Sequence, residues 1–153
     1  MGKILDRLFH RRVQAKKKPR HQKRTLLQHK ELEEKRDKWV AEKGYRYPDA
    51  TVGEAADRIE VDRYHLQRYF TEVRGEDFRT WRTRLRIQEA RQKLLDEPDT
   101  PTSTIARQVG FSDRSNFARQ FTRLTGETPL AYRKKRLAPN TGPASADKTR
   151  QQA

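Results

Sequence analysis

Ile105-Ala106-Arg107-Gln108-Val109-Gly110-Phe111-Ser112-Asp113, followed by Phe117, Arg119, Phe121 and Gly126, decides the fold, because an earlier stretch repeats it. Ala56, Ile59 and Val61 stand 50 residues before Ala106, Val109 and Phe111. Leu66, Arg68, Phe70 and Gly75 stand 51 residues before Phe117, Arg119, Phe121 and Gly126. The one extra residue of the second copy falls between two helical stretches, where a turn belongs. Self-similarity at a fixed period marks repeated supersecondary units, here two helix-turn-helix units.

Spacing outward from the repeat predicts the other elements. Thr51-Val-Gly-Glu54 fits a capping box and opens a short helix over 52–58. Asp62 caps a second helix over 63–74, stopped by Gly75. A longer helix over 77–96 changes its apolar face: Phe78, Trp81 and Leu85 share one side, while Ile87, Ala90 and Leu94 lie about half a turn away at ~100° per residue. Such a helix packs on one lobe at its start and on another at its end. It would span about 30 Å, close to the ~34 Å between successive major-groove entries on one side of DNA. Pro98, Pro101 and Thr102 mark the break after it. The second helix pair is expected over 103–108 and 113–125, with Gly110 in the turn, Ser112 as cap and Gly126 as stop. Thr128-Pro129 starts a last short helix. Upstream, residues 25–43 read as a helix ended by Gly44, with Leu32, Trp39 and Val40 on one docking face and Trp39 and Trp81 in the core. No strand alternation is long enough to count. The expected fold is all-α: two helix-turn-helix lobes joined by a long connecting helix. A basic, flexible arm is expected over 1–24, the double helix-turn-helix domain over 25–136 and a flexible tail over 137–153.

Of the 153 residues, 32% are hydrophobic and 37% are charged, enough for a small helical core. The absence of cysteine excludes disulfides, zinc–thiolate sites and thiol chemistry. No apolar run approaches the ~18 residues of a membrane span, and no secretory signal is visible, so a cytoplasmic, nucleoid-associated location is expected. The net charge is +15, and residues 1–30 carry eleven Lys/Arg against one Asp. Such an arm attracts any polyanion. Its Ile4, Leu5, Leu8 and Phe9 form a short amphipathic patch suited to an anionic membrane surface. Two readings follow from the arm: a non-specific nucleic-acid-binding or architectural protein driven by it, and the cytosolic end of a longer membrane-tethered protein. His10, His21 and His29 form no ligand cluster and His65 reads as a packing residue, so no metal is expected. No cofactor motif or catalytic constellation is present, and an enzyme has no support in the residues.

The stretch Ile105–Asp113 with Phe117, Phe121, Gly126, Thr128-Pro129, Tyr132 and Arg133, fifty residues after a second copy, resembles the DNA-binding domain of AraC/XylS transcription regulators. The resemblance covers about residues 30–136. It implies two helix-turn-helix lobes on a long helix, double-stranded DNA as partner and control of RNA polymerase at a promoter. The family's base-reading positions fall on Tyr64, Gln67 and Arg68 in the first lobe and on Arg114, Ser115 and Arg119 in the second. The exposed helix faces add Arg63 and Asn116, while Leu66, Tyr69, Phe70 and Val73 are expected to face the core. Gln suits adenine and Arg suits guanine. Arg68 and Arg119, equivalent in the repeat, also have a structural alternative: hydrogen bonds to a helix end. Phosphate contacts are expected at the capping amides of Thr51, Thr102 and Ser112 and from the charges of Arg79, Arg82 and Arg107.

The chain departs from the family pattern in two places. Glu60 stands where the second copy has Gly110, at a cost of about 1 kcal/mol if its φ is positive. Nothing before residue 25 is large enough for the effector domain many relatives carry, and no small-molecule effector is evident. Some proteins with this domain transfer alkyl groups to a cysteine, an activity that the lack of cysteine removes here.

Overall fold

The computed structural model describes residues 19–48 and 50–138, with side chains from Gln28 onward. The expectations for residues 1–18 and 139–153, including the apolar patch of the arm and the tail, lie outside the described residues. Every regular element among the described residues is helical. The chain divides into two compact units at Trp81/Arg82.

In the first unit, α1 covers Pro19–Ala41. It starts earlier than expected, so residues 19–24, assigned to the arm by sequence, are helical. Proline is pre-organised for a first helical position. Leu32 and Trp39 seat α1 on the unit, each at least nine-tenths buried. Lys43, not Gly44, takes the left-handed conformation after the helix, with φ 60°. Gly44 is needed for space instead, since a Cβ there would collide with the Trp39 indole. A short 3-10 turn, Gly44–Arg46, follows.

Helix α2, Val52–Arg58, has the predicted capping box: Glu54 N donates to Thr51 Oγ1 at 3.2 Å and Thr51 N donates to Glu54 Oε2 at 2.7 Å. Its end explains the Glu60 anomaly. Val61 N donates to Ala56 O and Glu60 N to Asp57 O, the bond pair of a Schellman motif, which needs a left-handed residue. Glu60 supplies it with φ 54°. Asp62 then caps α3, Arg63–Arg68, accepting from His65 N. The helix does not continue as an α-helix to residue 74, as periodicity predicts. Tyr69–Arg74 is a π-helix, closed by Gly75 at φ 66°, whose N–H reaches back to Phe70 O. Phe70, Phe78, Trp81 and Trp39 form an aromatic core, with Phe70 and Trp81 ring centroids 4.8 Å apart.

Helix α4, Phe78–Asp96, is opened by Asp77, which accepts from Thr80 N and Oγ1. The predicted change of face is present. Phe78 and Trp81 belong to the aromatic core of the first unit, whereas Ile87, Ala90 and Leu94 belong to the core of the second. Leu85 is half-buried.

The second unit packs Ile105, Ala106 and Val109 of α5, Thr102–Gln108, against Phe117 and Phe121 of α6, Arg114–Thr125, and Tyr132 of α7, Pro129–Leu137. The turn after α5 repeats the first: Phe111 N donates to Ala106 O and Gly110 N to Arg107 O, with Gly110 at φ 95°. Two expected caps are corrected. Thr102 is the first helical residue, behind a Pro101 that makes no side-chain cap. Ser112 is an exposed turn residue, and Asp113 caps α6, accepting from Ser115 N at 3.1 Å and Asn116 N at 2.7 Å. Asp113 is the repeat partner of Asp62, so Ser112 is the inserted residue. Thr128 caps α7, and Arg133 ties its other face to the end of α4, donating to the carbonyls of Leu94 at 3.1 Å and Thr100 at 2.6 Å.

Candidate nucleic-acid interface

Each lobe presents one helix whose inner face is consumed by the core and whose outer face is polar. Leu66 of α3 and Tyr69 and Phe70 of the π-helix that continues it are buried. Arg63, Tyr64, Gln67 and Arg68 are exposed, Tyr64 to 73%. On α6, Phe117 and Phe121 are buried while Arg114, Ser115 and Arg119 are exposed and Asn116 is half-exposed. The eight side chains proposed from sequence therefore fall into two sets, four to a lobe, each at the start of a capped helix. Val73 is a correction. It lies in the π-helix and is exposed, as is its repeat partner Leu124.

The alternative role of Arg68 and Arg119, bonding a helix end, is not what the structure has. Arg68 donates from Nε and Nη2 to the two carboxylate oxygens of Glu72 at 3.1 and 3.0 Å. That bond, and then the Arg68 charge, lowers the Glu72 carboxyl below its usual range. Arg119 donates from Nη2 to Asn116 Oδ1 at 3.2 Å. The first pair joins the last residue of α3 to the π-helix that follows it, and the second lies within α6. His65 is half-buried, its ring 6.2 Å from that of His29 on α1.

Among the proposed phosphate contacts, Thr51 is exposed at its cap, and Arg79 and Arg107 are exposed. Arg82 is not available in this way, since it is 8% exposed. One turn further along α4, Arg86 is buried as well, and desolvation, with the Arg82 charge second, pushes its guanidinium down to about 10. Sequence reasoning assigned no role to Glu72 or Arg123. Glu72 stands four residues after Arg68, the helical spacing for an ion pair, and that spacing was the available signal. Arg123, the repeat partner of Glu72, bonds Gln120 on the exposed face of α6.

Among the described residues no group of three or more His, Asp or Glu could hold a metal ion, and no helix is long and apolar enough to cross a membrane.

A helix-turn-helix domain family matches residues 55–135, both lobes together. The regulatory protein PocR of Salmonella typhimurium is 32% identical over 109 residues, covering 67% of this chain and 35% of that protein. The uncharacterized transcriptional regulatory protein YesN of Bacillus subtilis is 30% identical over 89 residues, covering 58% of this chain and 24% of that protein. The chain thus spans about a third or less of these relatives. Among solved structures, the C-terminal domain of the two-component response regulator yesN from Fusobacterium nucleatum superposes with a TM-score of 0.54 at 26% identity, covering 61% of this chain and 90% of that one. A transcriptional regulator with an AraC-type DNA-binding domain from Chromobacterium violaceum gives a TM-score of 0.59 at 24% identity, covering 71% and 96%. The last likeness carries the fold alone.

Proposed function

The chain belongs to the AraC-type helix-turn-helix family, and from that premise we propose that it is a sequence-specific DNA-binding transcription regulator that reads a bipartite site in double-stranded DNA. The observation that supports this most is the duplicated, outward-facing polar surface at the starts of α3 and α6, each backed by an aromatic core. Residues near the start of such helices reach base edges in the major groove. In the first lobe Gln67 and Arg68 read bases, with Tyr64 against a thymine methyl or sugar and Arg63 beside them. In the second lobe Arg114, Ser115 and Arg119 read, joined by Asn116. Thr51, at the N-terminus of α2, and the exposed charges of Arg79 and Arg107 hold phosphates, which sets register without carrying sequence information.

The basic residues before α1 add affinity that any polyanion would share. Occupancy near a promoter then recruits or blocks RNA polymerase, in the cytoplasm and at the nucleoid. The protein acts by binding, without catalysis.

The site assignment is tested by Gln67→Ala and Arg119→Ala in competition binding. Each should cost about 1–3 kcal/mol on the selected site and relax one position of the motif, in different halves. Equal losses on selected and random DNA would remove both residues from the reading surface.

A further inference from the structure

Among the repeat-equivalent positions at which the lobes differ, one pair stands a turn after the shared arginines Arg68 and Arg119. Glu72 follows Arg68 by one turn in the first, whereas Arg123 follows Arg119 in the second. We propose that Glu72 is a specificity-determining residue that contacts no base: it holds the Arg68 guanidinium in the orientation that reads a guanine.

Arginine presents five N–H donors in a rigid plane. Glu72 takes the edge formed by Nε and one hydrogen of Nη2. The edge formed by Nη1 and the second hydrogen of Nη2 bonds none of the described residues, on a side chain that is 72% exposed. That edge is a two-donor fork, the complement of guanine O6 and N7 in the major groove. Both side chains are more than half exposed, so the core does not fix the guanidinium; the carboxylate does. Fixing it reduces the rotamer freedom lost on contact, and the fork meets guanine in one geometry.

The same carboxylate repels phosphate, so Glu72 weakens binding to DNA of any sequence while sharpening the choice at one base pair. The second lobe lacks the device. Arg123 cannot accept a bond, and Arg119 is held by a single N–H to the neutral Asn116 amide. Its arginine is left freer to settle on a phosphate or on either purine. The second lobe therefore serves as an internal control.

The inference rests on Arg68 reading a base, as proposed above, and the test separates the two. The 153-residue chain, its Glu72→Gln and Arg68→Ala variants and the double variant are measured on the selected site, on every single-base change in the first block and on random DNA. For the wild type one G·C position should prefer guanine at least tenfold. In Glu72→Gln that preference should fall to about threefold, while binding to random DNA strengthens several-fold and the second block is unaltered. In the Arg68→Ala background, Glu72→Gln should move no base preference at all. Specific and random binding that strengthen by one factor, with every preference kept, would overturn the inference and leave Glu72 a plain negative charge. If Arg68→Ala changes no preference while the two-block motif persists, the inference falls with the Arg68 assignment alone. If wild type selects no motif, the regulator reading falls first.

Discussion

Asp113 is the residue on which α6, the proposed second reader helix, hangs. Its carboxylate satisfies the N–H groups of Ser115 and Asn116, fixing the backbone of two proposed readers and placing a charge at the positive end of the helix. Asp113→Ala should cost about 1 kcal/mol of stability. Ser112→Ala, in the exposed turn beside it, should stay within about 0.5 kcal/mol of wild type. Urea unfolding of both variants checks this, and equal losses would restore Ser112 as the cap. The choice between adjacent Ser and Asp was not decidable from local propensity, since both favour the position. The repeat held the answer, because Asp113 aligns with Asp62 once the inserted residue is placed at 112.

At the scale of elements, the two turns show one backbone motif met by two residue types. Gly110 adopts a positive φ freely, and Glu60 adopts it under strain. Glu60→Gly should therefore raise stability by about 0.5–1 kcal/mol net of glycine's larger unfolded-state entropy. A fall in the denaturation midpoint would mean that the Glu60 side chain contributes more than its backbone costs. Helices α2, α4 and α6 were legible to within a residue at each end, through the capping box of α2, the apolar spacing of α4 and the break at Pro98 after it, and the Gly126 stop of α6. The π-helix at Tyr69–Arg74 was not. Its apolar residues fit an α-helical stripe equally well, and the widened turn shows only in the backbone bonds. Gly44 misled for a related reason: a glycine after a helix reads as a left-handed stop, but this one makes room for Trp39. The exposure of the polar residues at the starts of α3 and α6 was legible from helical period, which nevertheless misplaced Val73. The Arg68–Glu72 pairing was present in the spacing and went unused, and the burial of Arg82 had no sequence signal, because charged residues on a long helix read as solvated.

Across the whole molecule, the proposed function predicts that charge and specificity are separable. Residues 1–18 carry seven Lys/Arg against one Asp and precede the first described helix. Deleting them should weaken binding and make log K fall less steeply with log salt, since fewer phosphate counterions are released, while leaving the preferred sequence intact. Loss of sequence preference on deletion would transfer recognition to the arm. The central claim is that two lobes read two groove segments, and selection of binding sites from random DNA by the 153-residue chain, at physiological salt with excess competitor, tests it most directly. Two short enriched blocks centred about one helical turn apart are predicted, the first altered by Gln67→Ala and the second by Arg119→Ala. Strong binding with no enriched sequence would contradict the account and make this a general polyanion-binding protein.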